Sequence, residues 1–283
     1  MSSDLVANGF SPDAVSEVRK RLDRVRASGV RILFAIESGS RAWGFPSPDS
    51  DYDCRFVYVR PVEDHLRLVA ERDVIEFPIE GEIDTGGWDL KKALLLALKG
   101  NAVIVEWANS PDVYEEVAGF RPRLLGLLEK IVDPRLVARH YFGLLKRHEQ
   151  AYSSGDLKLK KLFYALRPAF ALHHMEQRGF ASLPPMNLLR LIETTSVPAE
   201  LSDLVSEMIR TKAATREMGT GRPPEQIGNF LIAAQERYGR LLETLGTADH
   251  DIAKENQRLA ERFYIDQVRE NDGVAASDTG VTT

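Results

Sequence analysis

A glycine-serine pair, Gly39-Ser40, closes one apolar run, and eleven residues after Ser40 an Asp-x-Asp, Asp51-Tyr52-Asp53, opens the next. No other feature of this chain constrains its fold as tightly. Two carboxylates at i and i+2 of a strand point to the same face, so Asp51 and Asp53 can share a metal site. Mg²⁺ is held by one or two carboxylates together with substrate phosphates. Gly39 and Ser40 offer unhindered backbone N–H groups and a hydroxyl to those phosphates. The layout predicts metal-dependent phosphoryl or nucleotidyl transfer at a junction of two strands. P-loop kinase chemistry is disfavoured, because no Gly-x-x-x-x-Gly-Lys-Ser/Thr run occurs.

Periodicity frames the motif. Ser11 as N-cap, Pro12 at N1 and the stripe Val15, Val18, Leu22, Val25 predict a helix over 11–28, which Gly29 stops. Residues 31–37 are an apolar run of strand length. From 51 to 59 the chain alternates, with Asp51, Asp53, Arg55 and Val57 on one face and Tyr52, Cys54, Phe56 and Tyr58 on the other. Cys54 therefore reads as an inert core thiol facing away from the site. Further strands are expected at 74–77 and 82–85, then a helix over 90–99 capped by Asp89 and closed by Gly100. Beyond Asn101 the pattern reads as wholly helical, over about 101–109, 121–131, 134–152, 157–178, 186–194, 199–216, 223–244 and 250–270. The small and polar residues 272–283 read as a disordered tail. The expected organisation is an α+β head over 1–115 and an all-helical domain over 116–271.

Read whole, the run from Gly39 through Phe56 (GSRAWGFPSPDSDYDCRF) resembles the DNA polymerase beta-like nucleotidyltransferase superfamily. Two further blocks, Gly87-Trp88-Asp89-Leu90 on to Glu106-Trp107-Ala108-Asn109-Ser110-Pro111, and Lys160 to Pro168, look like its RlaP branch of predicted RNA repair-associated nucleotidyltransferases. The blocks span roughly residues 30 to 190. Asn101-Ala102 departs from the branch, where a proline would follow the asparagine. The resemblance implies a mixed-sheet catalytic head and two Mg²⁺ ions (Mn²⁺ may substitute) bridged by Asp51 and Asp53. It also implies a third carboxylate on a neighbouring strand. Asp84 is the candidate, as metal ligand and general base, with Glu82 on the same strand face as its rival. Ser40 would meet the β- or γ-phosphate. Arg41 would meet the triphosphate or else pair with a nearby acid.

Other residues are read as structural. Asp49 is a turn residue; Trp43 and Phe45 shape the loop; Trp88 and Trp107 are core; His173-His174 has no metal partner at recognisable spacing. In the helical part, Lys160, Tyr164 and Arg167 fall at i, i+4 and i+7 and so are expected on one face, opposite Leu159, Phe163, Leu166 and Phe170. That face would hold the triphosphate and stack the base.

Charge supports a polyanionic partner. The chain carries a formal −5, yet residues 135–190 hold ten Lys or Arg against three acids, a local +7 that leaves −12 for the rest. A basic segment opposite an acidic site suits a nucleoside triphosphate and also RNA. With 43% hydrophobic and 28% charged residues, one cysteine, no apolar run of membrane-spanning length and no signal-like start, a cytoplasmic globular protein is expected. Two functional readings stay open. One is an active nucleotidyltransferase acting on an RNA end, a protein or a small molecule. The other is a catalytically silent nucleotide-sensing or RNA-binding module.

Overall fold

A computed structural model describes residues 2–149, 157–216, 219–246 and 249–278. Its centre is a five-stranded sheet, ordered β3-β4-β2-β1-β5, from β1 (Arg31–Glu37), β2 (Tyr52–Val59), β3 (Val74–Glu76), β4 (Ile83–Asp89) and β5 (Val113–Glu116). β2 and β4 run parallel and the other pairings are antiparallel, so the sheet is mixed.

The alternation of β2 sorts its side chains into two cores. Tyr52, Cys54, Phe56 and Tyr58 pack under helix α2 (Pro12–Ala27), against its stripe Val15, Val18, Leu22 and Val25. Val57 and Val59 turn to the other face, beneath α5 (Leu90–Leu98), α6 (Val103–Asn109) and α7 (Phe120–Ile131). Asp53 and Arg55 share that second face, nearer the start of the strand, where cover thins and both are half-buried. β4 lies close alongside because Gly87 has no side chain: a Cβ there would come 2.2 Å from the Phe56 ring.

Three sequence expectations change. The chain beyond Asn101 is not wholly helical: Val113–Glu116 completes the sheet across the expected boundary at 115, and Leu157–Lys158 (β6) pairs with Thr220–Gly221 (β7). Both additions are short and use pairing partners distant in sequence, which local periodicity cannot register. The helix expected over 157–178 begins as a 3₁₀ turn, Leu159–Lys161, before α9 (Leu162–Gln177). The last helix, His250–Asp278, extends into the stretch read as a tail, while 279–283 and 150–152 lie outside the described residues.

Head and body are not separately cored. One apolar cluster runs from Leu33, Phe34 and Val57 of the sheet through Leu128 and Tyr141 to Phe163, Phe170, Leu231 and Tyr238 of the helices. The helix His250–Asp278 returns to the head, with Phe263 against Phe120 and Tyr264 against His65. Among the described residues no helix is long and apolar enough to cross a membrane.

Candidate active site

β1 ends at Glu37, and Ser38 leads into a single helical turn, Gly39–Ala42. Gly39 has φ +62°, and a Cβ on it would lie 1.9 Å from Asp53 Oδ2, so the turn is pressed directly onto that carboxylate. Only glycine fits. Ser38 N–H donates to the Asp53 carbonyl at 2.9 Å, tying the turn to β2.

Asp51 is exposed immediately before β2, and Asp53 lies inside it. Across the parallel pairing Asp53 stands in register with Asp84 of β4. Arg55 joins them, its Nη2 donating to Asp84 Oδ2 at 2.6 Å and to Asp53 Oδ1 at 3.2 Å. Burial pushes the Asp53 carboxyl up; Arg55 pulls it down, and the charges of Asp84 and Asp51 raise it further. Glu82 lies outside the strand. Its carbonyl accepts from Tyr52 N–H at 2.7 Å, and it lines a cavity beside α2 with Ser11, Tyr52 and Ile83. Of the two rivals, Asp84 is the carboxylate brought to Asp53.

The other sequence candidates divide. Ser40 is buried, its Oγ donating to Ser50 Oγ at 3.0 Å, within a hydroxyl cluster that includes Ser47. Among the described residues Arg41 makes no ion pair with an acid. It donates to the carbonyls of Ser50 (2.7 Å) and Asp51 (3.2 Å) and lies 4.0 Å over the Tyr52 ring. Both residues hold the loop from 43 to 51 in shape. Tyr164 is half-exposed above Trp43 and Phe45, and burial followed by the charges of Asp53 and Asp51 holds its phenol up. It is the helical-body residue that faces the carboxylates. Lys160 reaches the same loop, with Nζ 3.8 Å from Asp49 Oδ2.

Arg167 departs from the expected face. Its guanidinium is buried against Glu106 and over the Trp43 ring, held by an acid 61 positions away that helical spacing cannot register. Within the basic segment 135–190, three more cations have partners near in sequence or on the next helix. Arg135 binds Asp133, Arg178 the Thr194 carbonyl, and Arg190 Glu193. Trp88 and Trp107 stack at 4.2 Å in the core, and Cys54 is buried on the far face, as expected. His173 and His174 bond Ala169 and Thr194.

Two residues were missed. Glu37 is fully buried directly behind the site, its Oε1 accepting from Asp53 N–H at 2.9 Å and its Oε2 from Tyr114 OH at 2.7 Å. Burial pushes its carboxyl up to about 8. The available signal was an acid ending an otherwise apolar strand. Lys212, of the helix Ala199–Ala214, donates to the Phe45 carbonyl at 2.5 Å, and burial brings its ammonium down to about 8. No local pattern marks it.

The sequence profile described as "RlaP: RNA repair pathway DNA polymerase beta family" matches residues 15–266. The chain belongs to the RlaP family. A relative of this RlaP-family chain, the "Uncharacterized protein YcgL" of Bacillus subtilis (strain 168), is 36% identical over 240 residues, covering 84% of this chain and 92% of that protein. A nucleotidyltransferase-like protein from Exiguobacterium sibiricum 255-15 aligns over 81% of this chain and 74% of its own, at 12% identity and a TM-score of 0.30. Membership in a family described as DNA polymerase beta makes nucleotidyl transfer the class of activity that the family suggests.

The RlaP carboxylates have hard oxygen donors of the kind divalent ions take. Among the described residues, however, no three His, Cys, Asp or Glu side chains converge as a ready ligand set. The guanidinium of Arg55 stands between two of the three expected ligands.

Proposed function

We propose that the protein is a divalent-metal-dependent nucleotidyltransferase, moving a nucleoside monophosphate from a triphosphate to an acceptor hydroxyl with release of pyrophosphate. The observation that carries this reading is the in-register pair Asp53 and Asp84, with Asp51 two residues before Asp53 and the Gly39 turn packed on its carboxylate. Burial first, and then the charges of Asp84 and Asp51, raise the Asp53 carboxyl, and a cation bound beside it would favour its charged form. Mg²⁺ suits these donors, with Mn²⁺ as a substitute.

Asp51 and Asp53 would hold both ions and Asp84 one of them. When bound, two such ions neutralise charge on the α-phosphate and on the departing pyrophosphate. Asp84 would take the proton of the attacking hydroxyl. The Gly39-Ser40 backbone would receive the phosphates, and Lys160 and Tyr164 would add a cation and an aromatic face from the helical body. Arg41 and Arg167 have no place in substrate contact under this reading; they position the loop. An RNA end is the first acceptor to test, given the family's description, and a cytoplasmic setting supplies the triphosphates.

Incubation with each labelled nucleoside triphosphate, Mg²⁺ or Mn²⁺ and a pool of RNA tests the reading. Label should appear on an acceptor with pyrophosphate released, and Asp53→Asn should abolish it. A second reading, a nucleotide-binding module without transfer, draws on the Arg55 guanidinium between Asp53 and Asp84. Nucleotide binding with label reaching neither RNA nor protein would favour it.

A further inference from the structure

Arg55 follows Asp53 by two residues on the same face of β2. Its guanidinium is held by four acceptors. Nη2 donates to Asp84 Oδ2 (2.6 Å) and Asp53 Oδ1 (3.2 Å), and Nη1 to the carbonyls of Cys54 (3.1 Å) and Asp84 (3.3 Å). A planar fork of fixed N–H groups meets such a set better than a point charge does. The three side chains are only partly exposed, at 22%, 25% and 31% for Arg55, Asp53 and Asp84, so solvent screening between them is incomplete. One nitrogen of Arg55 thus sits where a cation ligated by both carboxylates would sit.

We infer that Arg55 is the resident cation of the Asp53–Asp84 pair, and that a divalent ion ligated by both carboxylates must displace it. The inference rests on the proposed function for the identity of the metal ligands. Its consequence is a coupling between metal and nucleotide. A free ion must win the pair from Arg55 with only water to complete its shell, and so binds weakly. An ion carried with a triphosphate brings phosphate ligands of its own, and the same phosphates give the released guanidinium a bidentate partner. Arg55 is in this sense a positioning residue for the metal site.

The test is Mn²⁺ binding to the nucleotide-free protein, read from the paramagnetic resonance signal of the free ion. Parent, Arg55→Gln, Arg55→Lys and the double variant Arg55→Gln/Asp84→Asn are compared. Removing a positive charge at hydrogen-bond range should tighten Mn²⁺ binding by about tenfold or more in Arg55→Gln. Adding Asp84→Asn should erase that gain, because the vacated position needs both carboxylates. A folded Arg55→Gln that binds Mn²⁺ no tighter than the parent overturns the inference. So does a gain that survives in the double variant, since the guanidinium would then act from a distance. Should Arg55→Gln fail to fold, Arg55→Lys decides. Its single ammonium cannot hold four acceptors, so it must bind Mn²⁺ more tightly than the parent, and equal affinity refutes the idea. Failure of the metal-ligand assignment that the proposed function supplies looks different: Asp53→Asn, added to the parent and to Arg55→Gln, would then leave Mn²⁺ binding unchanged in both.

Discussion

Arg167 Nη1 lies 2.6 Å from Glu106 Oε1, with both side chains buried where the helical body meets the head. The same Oε1 accepts from Tyr141 OH at 2.7 Å, and Oε2 accepts from the Trp43 indole N–H at 3.1 Å. Trp43 belongs to the loop between Ser40 and Asp51, Glu106 to α6 and Arg167 to α9. The three sequence blocks that carry the family likeness therefore converge on one buried carboxylate. Their common role is to fasten the loop between Ser40 and Asp51 to the helices behind it.

Removing one member of a buried ion pair strands the other, at a cost of about 3–5 kcal/mol. Arg167→Ala is accordingly expected to lower stability by that order, measured by denaturant unfolding, while the folded fraction binds nucleotide with parental affinity. Lys160→Ala should do the reverse. Its melting temperature should stay near the parent's and nucleotide binding should weaken by about 1.5–3 kcal/mol, the range for hydrogen bonds to charged groups. A stable Arg167→Ala that has lost nucleotide binding would return that residue to the substrate site.

The contrast shows what the sequence could carry. The alternation of β2 was legible because each face has its own chemistry: aromatic residues and Cys54 toward α2, Asp53 and Arg55 toward the site. Asp84 was expected near the end of a short strand over 82–85, and it stands in β4 in register with Asp53. What stayed hidden depends on contacts across long separations. Lys212 reaches Phe45 over 167 positions, and Glu106 meets Arg167 over 61. A helical wheel could put Lys160, Tyr164 and Arg167 in line, but it could not register the 3₁₀ turn or the acid waiting for Arg167.

Asp53→Asn and Asp84→Ala should each abolish transfer, and Glu82→Ala should retain most of it, because Glu82 lies off the strand beside α2. Asp53→Asn should not destabilise the fold, since burial and neighbouring acids already disfavour that charge. Turnover within about tenfold of the parent for Asp53→Asn would remove the carboxylate from the mechanism, a loss of roughly 1.4 kcal/mol being too small for an essential ligand.

Gly39→Ala should be inactive even though alanine is small. Its Cβ would meet Asp53 Oδ2 at 1.9 Å in a backbone conformation with φ +62°, so the turn or the carboxylate must move. Expected are a lowered melting temperature and loss of transfer together, whereas Gly81→Ala, at φ +61° with open space around it, should lower stability and leave transfer intact.

Glu37 gives the pH dependence a sign. Its carboxyl ordinarily titrates at 4.5 and is pushed to about 8 by burial in the fold. Between these values the folded chain holds a proton that the unfolded chain has released. Stability therefore falls as pH rises, by up to about 1.4 kcal/mol per pH unit, and the loss is complete once pH passes the folded value. Asp53, also raised by burial, acts with the same sign. Lys212 acts oppositely, but only between about 8 and its ordinary 10.5. His140, His148, His173 and His174, lowered by burial, also act oppositely as pH rises towards their ordinary 6.5, which leaves the interval from about 7 to 8 to Glu37. Glu37→Gln keeps an oxygen for Asp53 N–H and carries no charge at any pH. Unfolding free energies measured between about pH 7 and 8 should fall with pH in the parent and fall less in Glu37→Gln. Parallel slopes would mean that Glu37 is ionised behind Asp53, and that Tyr114 OH and Asp53 N–H suffice to hold its charge.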